Sequence, residues 1–173
     1  MPPLPWKSFW SFYSFMLAVL IVCQLVLGIY MTGLNFFHPW YHAAPRLHKS
    51  IGLTIASMVL LRLIFRLRSG IPTFREFIVS LRYNVYGVKH LLLYGLLLTA
   101  ATAGFSFATS TGDPVPFFSL FDIPAPFILG KEAGEFFDTV HMVLALALVI
   151  LIALHSIEKM RLLLHRRKTR GIR

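Results

Sequence analysis

The sequence predicts an all-α integral membrane protein, a four-helix bundle that forms a single domain over residues 1–173. The chain is 57% hydrophobic and only 14% charged, whereas soluble domains are about 45–50% apolar and about 25% charged. Its apolar residues are concentrated in four uncharged stretches. Each stretch supplies roughly the 20 residues that a helix needs to cross a bilayer.

The helices follow from the uncharged stretches in chain order. The first stretch is longer than the apolar region of a cleavable signal peptide, so it is interpreted as a membrane span. The second has a short uncharged centre, so Lys49 and Arg62 are expected to snorkel to the two membrane interfaces. The single cysteine, Cys23, excludes an intrachain disulfide and a cysteine-based metal cluster. The four predicted helices cover about residues 9–31, 47–65, 90–112 and 139–163.

Between the third and fourth helices lies the segment "TSTGDPVPFFSLFDIPAPF". Its glycine and prolines are typical of a loop rather than a helix. Its aromatic residues favour a position at the membrane interface.

The distribution of basic residues predicts the orientation of the chain. With both termini in the cytoplasm, 14 of the 17 basic residues lie inside, and only Arg46, Lys49 and Lys131 lie outside. Five of the seven acidic residues also fall outside. The positive-inside rule therefore predicts an N-in, C-in protein. The net charge of +10 could also indicate binding to nucleic acid. The distribution of the basic residues instead favours a protein that lies in a lipid bilayer.

Histidines mark the candidate site. His141 and His155 are 14 residues apart on the fourth helix, which is about 21 Å and close to four turns, so both imidazoles face nearly the same side. The predicted topology places His48, on the second helix, at the depth of His141. A zinc site would need ligands within about one turn. The spacing therefore favours two separate cofactors, such as two haems stacked across the bilayer.

Two further residues are weaker candidates. His90 begins the third helix on the inner side, and a packing or hydrogen-bonding role is about as plausible as a ligand role. Gly52 lies one turn beyond His48, where the absence of a side chain leaves room for a flat macrocycle.

Five motifs together resemble those of the bacterial cytochrome b561 family, which is related to the cytochrome b subunits of hydrogenases and formate dehydrogenases. The resemblance extends over nearly the whole chain. The motifs are "HKSIG", "RLIFRL", "KHLLLYGLLL", "GDPVPFFSLFDIP" and the His-x13-His pair of the fourth helix.

The resemblance implies haem b, with an outer iron held by His48 and His141 and an inner iron held by His155 and a histidine of the first helix. That helix has no histidine here, and the corresponding position falls at or near Ser14. Three hypotheses remain: only the outer haem binds, His90 replaces the missing ligand, or a five-coordinate inner haem is held by His155 alone.

The resemblance also implies a function. The expected activity is one-electron transfer in respiratory electron transport, with quinone or a redox protein as partner, in the bacterial inner membrane. A homodimer is an option. The alternatives are a superoxide oxidase-like activity that reduces ubiquinone, and a non-redox family member that acts as a scaffold or partner subunit.

Overall fold

The computed structural model describes residues 5–68 and 85–170. It contains four long helices: α1 (Pro5–Thr32), α2 (Ala43–Arg68), α3 (Val85–Thr109) and α4 (Lys131–Arg170). Each includes a segment long and apolar enough to cross a membrane: Ser8–Thr32, Ala43–Phe65, Leu92–Thr109 and Lys131–Ile157. The prediction of a helical, four-span membrane protein is therefore confirmed.

The observed helices differ from the predicted ones mainly at their ends. Helix α4 begins at Lys131, eight residues before the predicted start, because its first two turns carry charged residues that an apolar pattern does not detect. Helix α3 ends at Thr109, and Gly112 follows with a φ of +92°, a conformation that stops a helix.

The segment between α3 and α4 contains a two-stranded antiparallel hairpin. Strand β1 (Val115–Phe117) pairs with β2 (Phe121–Ile123), with Val115 opposite Ile123. The sequence predicts only a loop here, because strands of three residues are too short for an alternating pattern. The hairpin packs against the beginning of α2, and this end of the bundle is called the hairpin end below.

The helices pack in chain order: α1 against α2, α2 against α3, and α3 most extensively against α4. A core of four residues from α1, α2 and α3 is almost fully buried: Leu17, Ile55, Val59 and Tyr94. Large apolar side chains elsewhere on the helices are exposed, among them Phe12, Val26 and Leu146. These outward faces suit contact with lipid, since backbone polar groups are satisfied within each helix.

Candidate functional site

Two histidines meet at the hairpin end of the bundle. The imidazole centroids of His48 on α2 and His141 on α4 are 6.1 Å apart, and the ring planes are nearly perpendicular at 89°. Within the described residues, α2 and α4 do not pack extensively against each other. The histidine pair therefore joins two helices that otherwise make few contacts with each other.

His48 carries two buried polar atoms that the described residues do not satisfy. Neither Nδ1 nor Nε2 has a hydrogen-bond partner among them, although buried polar groups are nearly always paired. Leaving such a group unpaired costs about 1–3 kcal/mol. The arrangement is accounted for if one of these nitrogens binds a metal.

The ring of His48 rests against a glycine of the neighbouring helix. A Cβ on Gly28 of α1 would lie 3.1 Å from Cε1 of His48. That distance is tighter than ordinary van der Waals contact. The bare backbone at Gly28 thus allows α1 to approach the imidazole.

His141 is held in one tautomer and one orientation. Its Nδ1 lies 2.8 Å from the carbonyl oxygen of Ala100 on α3, and because a carbonyl oxygen can only accept, Nδ1 carries the proton. In the neutral imidazole, the lone pair is then on Nε2. Metal-binding histidines characteristically have this kind of second hydrogen bond, which fixes the ring and raises its basicity.

A glycine also makes room for His141. A Cβ on Gly104 of α3 would lie 2.8 Å from Nδ1 and 2.9 Å from Cε1 of His141. Almost any side chain at position 104 would displace the imidazole. The glycine thus allows α3 to pack closely against the His141 ring.

Gln24 on α1 is a site residue that the sequence reasoning missed. Its side-chain amide nitrogen donates to the backbone carbonyl of His48 at 3.0 Å, while its Oε1 is buried without a partner among the described residues. A Cβ on Gly52 would lie 3.0 Å from the same amide nitrogen. Gly52 thus makes room for Gln24 in this structure, and its predicted contact with a macrocycle stays a prediction. In the sequence, Gln24 stands out only as a polar side chain within an uncharged apolar helix.

The other predicted ligands lie away from this pair. His155 is half-buried on α4, 14 residues beyond His141, and its role as a ligand stays a prediction. His90 belongs to α3, but its side chain lies outside the described part of the structure. No group of three or more histidine, cysteine, aspartate or glutamate side chains able to hold a metal ion occurs in the described residues.

The pair could hold a metal between the two helices. Nε2 of His141 and one ring nitrogen of His48 would be the ligands, and the ring centroids are 6.1 Å apart. An iron held by two imidazoles would be closed to substrate and would suit transfer of single electrons.

The chain is similar to known proteins. The model of a family described as prokaryotic cytochrome b561 matches residues 15–166. The chain is also similar to "Cytochrome b561 homolog 2" of Escherichia coli (strain K12), with 29% identity over 144 residues, which cover 83% of this chain and 77% of the relative.

Proposed function

The chain belongs to the prokaryotic cytochrome b561 family, and from that premise we propose that it transfers single electrons through a haem b held by His48 and His141. The observation that carries the proposal is the pair itself. His48 has two buried ring nitrogens without partners among the described residues, and His141 is fixed by Ala100 with its Nε2 lone pair available.

The bound haem would supply reversible one-electron chemistry. The residues around it would tune its reduction potential. The hydrogen bond to the Ala100 carbonyl would increase the basicity of the His141 imidazole as a ligand and so would favour the ferric state of a bound iron. Gly28 and Gly104 let the helix backbones close around the two rings.

The predicted topology gives the side of the membrane from which a redox partner would approach the haem. The hairpin end faces outwards if the termini are cytoplasmic, so the haem would lie in the outer half of a bacterial inner membrane. Quinone within the bilayer or an external redox protein can approach this level.

The experiment is a pyridine haemochrome assay on detergent-purified protein, applied to wild type, His48→Ala and His141→Ala. We expect haem b in the wild type and its loss from both variants. His42→Ala is the matched control, because His42 lies exposed in the connection before α2 and should leave the haem in place.

A fourth variant distinguishes loss of the iron ligand from misfolding of the protein. His141→Met should keep the haem but raise its reduction potential, because methionine–histidine ligation favours the ferrous state. Retention of haem by His141→Ala would overturn the assignment. A wild-type protein without any Soret absorbance would favour the scaffold alternative.

A further inference from the structure

Helix α1 presents two residues to the turn of α2 that carries His48. Gln24 and Gly28 are four residues apart, so they lie on one face of α1 in successive turns. The side chain of Gln24 reaches the backbone carbonyl of His48, and Gly28 lies against the His48 ring. One face of α1 therefore contacts both the main chain and the imidazole of this candidate ligand.

The contact with Gly28 shows which nitrogen of His48 faces α1. From a Cβ placed on Gly28, Cε1 of His48 would be 3.1 Å away and Nδ1 would be 3.6 Å away, whereas Nε2 would be more than 4 Å away. Nδ1 thus lies on the α1 side of the ring, and Nε2 lies on the side turned away from α1. Nε2 is therefore the nitrogen of His48 that can reach a metal shared with another helix.

The hydrogen bond to His48 fixes the orientation of the Gln24 amide. A carbonyl oxygen can only accept, so the atom of Gln24 that lies 3.0 Å from the His48 carbonyl is the amide nitrogen. Oε1 of Gln24 is then left for another donor, and it is buried without a partner among the described residues. A buried acceptor of this kind is costly unless a donor reaches it.

Metal binding at His48 would supply that donor. An iron on Nε2 leaves the proton of the neutral imidazole on Nδ1, and metal-binding histidines nearly always donate this N–H to a hydrogen-bond acceptor. The Ala100 carbonyl is the acceptor for His141, but Nδ1 of His48 has none among the described residues. The terminal torsion of a glutamine is broad, so Oε1 of Gln24 can turn towards Nδ1 while the side chain stays beside His48.

Gly52 leaves the space that Gln24 occupies. A Cβ on Gly52 would be 3.0 Å from Nε2 and 3.9 Å from Cδ of Gln24. Both atoms belong to the flexible end of a side chain, so a methyl group at position 52 would push Gln24 aside without moving a helix. The absence of a side chain at Gly52 thus allows Gln24 to lie at the His48 turn.

We propose that Gln24 is a positioning residue for the haem, and that its Oε1 accepts a hydrogen bond from Nδ1–H of His48 when Nε2 binds the iron. The inference rests on the proposed function, because it takes His48 as a haem ligand. Gln24 acts on His48 as the Ala100 carbonyl acts on His141. The hydrogen bond makes the imidazole a more basic ligand, which favours the ferric state and lowers the reduction potential.

The test is a redox titration of the haem in detergent-purified wild type, Gln24→Met and Gln24→Glu. Methionine is similar in size but gives the imidazole no strong acceptor, so we expect a higher reduction potential. We also expect about 10-fold weaker haem binding, measured by transfer of haem to apomyoglobin. Glutamate keeps Oε1, so the potential of Gln24→Glu should equal that of the wild type or lie below it. Cys23→Ala is the matched control, because Cys23 is the adjacent residue of α1 and is exposed.

The outcomes separate this inference from the proposed function. An unchanged potential in Gln24→Met would overturn the inference and leave the proposed function standing. Equal upward shifts in Gln24→Met and Gln24→Glu would do the same, because the shift would then come from altered packing at position 24. Wild-type protein without haem, or haem retained in His48→Ala, would overturn both.

Gly52→Ala provides an independent measurement through a double-mutant cycle. The added methyl group should displace Gln24 and raise the reduction potential, as Gln24→Met does. In the Gln24→Met background, Gly52→Ala should have little further effect, because the hydrogen bond to His48 is already absent. Equal shifts in both backgrounds would show that position 52 acts on the haem without Gln24, and would contradict the inference.

Discussion

At the scale of single residues, the site depends on glycines as much as on histidines. Each imidazole of the pair lies against a glycine of a neighbouring helix, Gly28 for His48 and Gly104 for His141. An imidazole that must present a particular nitrogen to a metal needs a fixed ring position, and close backbone contact on one side provides it. The glycine at position 104 is the more constrained, because a Cβ there would lie less than 3.0 Å from two atoms of the His141 ring.

Replacement of Gly104 tests this constraint. We expect Gly104→Ala to displace His141 from the Ala100 carbonyl, at an overpacking cost of about 1–3 kcal/mol, and to reduce haem per chain and the thermal midpoint. Gly95→Ala is the matched control on the same helix. A Cβ there would meet no atom of the described residues within 4 Å, so the change should stabilise α3 by up to about 1 kcal/mol. Equal haem content in the two variants would contradict the proposed packing.

At the scale of elements, Ser50 fastens the hairpin to α2. Its hydroxyl accepts from the backbone N–H of Phe118 at 2.9 Å and lies 3.0 Å from the carbonyl oxygens of Arg46 and Pro116. Phe118 and Ser119 have φ values of 47° and 59°, in the left-handed region that non-glycine residues seldom adopt. The anchor at Ser50, two residues after His48, holds this strained turn in place and ties the hairpin to the site.

Removal of the hydroxyl should loosen the hairpin. Ser50→Ala leaves the Phe118 N–H and the Pro116 carbonyl without their partner, at an expected cost of about 1–3 kcal/mol. The measurement is the free energy of unfolding in detergent, with proteolysis of the hairpin as a local readout. Ser57→Ala serves as the comparison, because within the described residues the Ser57 hydroxyl bonds to Leu53 of its own helix and not to the hairpin. The anchoring role fails if both variants behave alike.

At the scale of the whole molecule, charge asymmetry sets the expected orientation. The described hairpin end carries acidic residues such as Asp113, Asp122 and Glu132, whereas the sequence beyond α4's apolar part is rich in lysine and arginine. Cytoplasmic segments of bacterial membrane proteins carry the excess of positive charge. The haem proposed for the hairpin end would then be accessible from the outer side.

Reporter fusions test that orientation. Green fluorescent protein fused after Arg173 should fluoresce, and alkaline phosphatase at the same position should be inactive, because each folds in only one compartment. Alkaline phosphatase fused after Gly130, following three spans, should be active. The reverse pattern would place the hairpin end in the cytoplasm and move the proposed electron exchange to that side.

The sequence by itself determined the four spans and the expected orientation, whereas His48 and His141 became a candidate ligand pair through the resemblance to the family. The spans and the orientation depend on composition, and an uncharged run of about 20 residues has few alternatives to a membrane helix. The 14-residue interval between His141 and His155 likewise places both rings on one face wherever α4 lies.

Only the tertiary structure decided which groups meet across helices. It placed Gln24 beside Gly52, fixed His141 through Ala100, and turned Arg62 towards Ser14. The physical reason is that a helical repeat fixes the face on which a side chain lies but not the rotation or the register of the helix opposite. Those two quantities come from packing, and they determine whether a polar group at a given depth faces lipid, a ligand or another side chain.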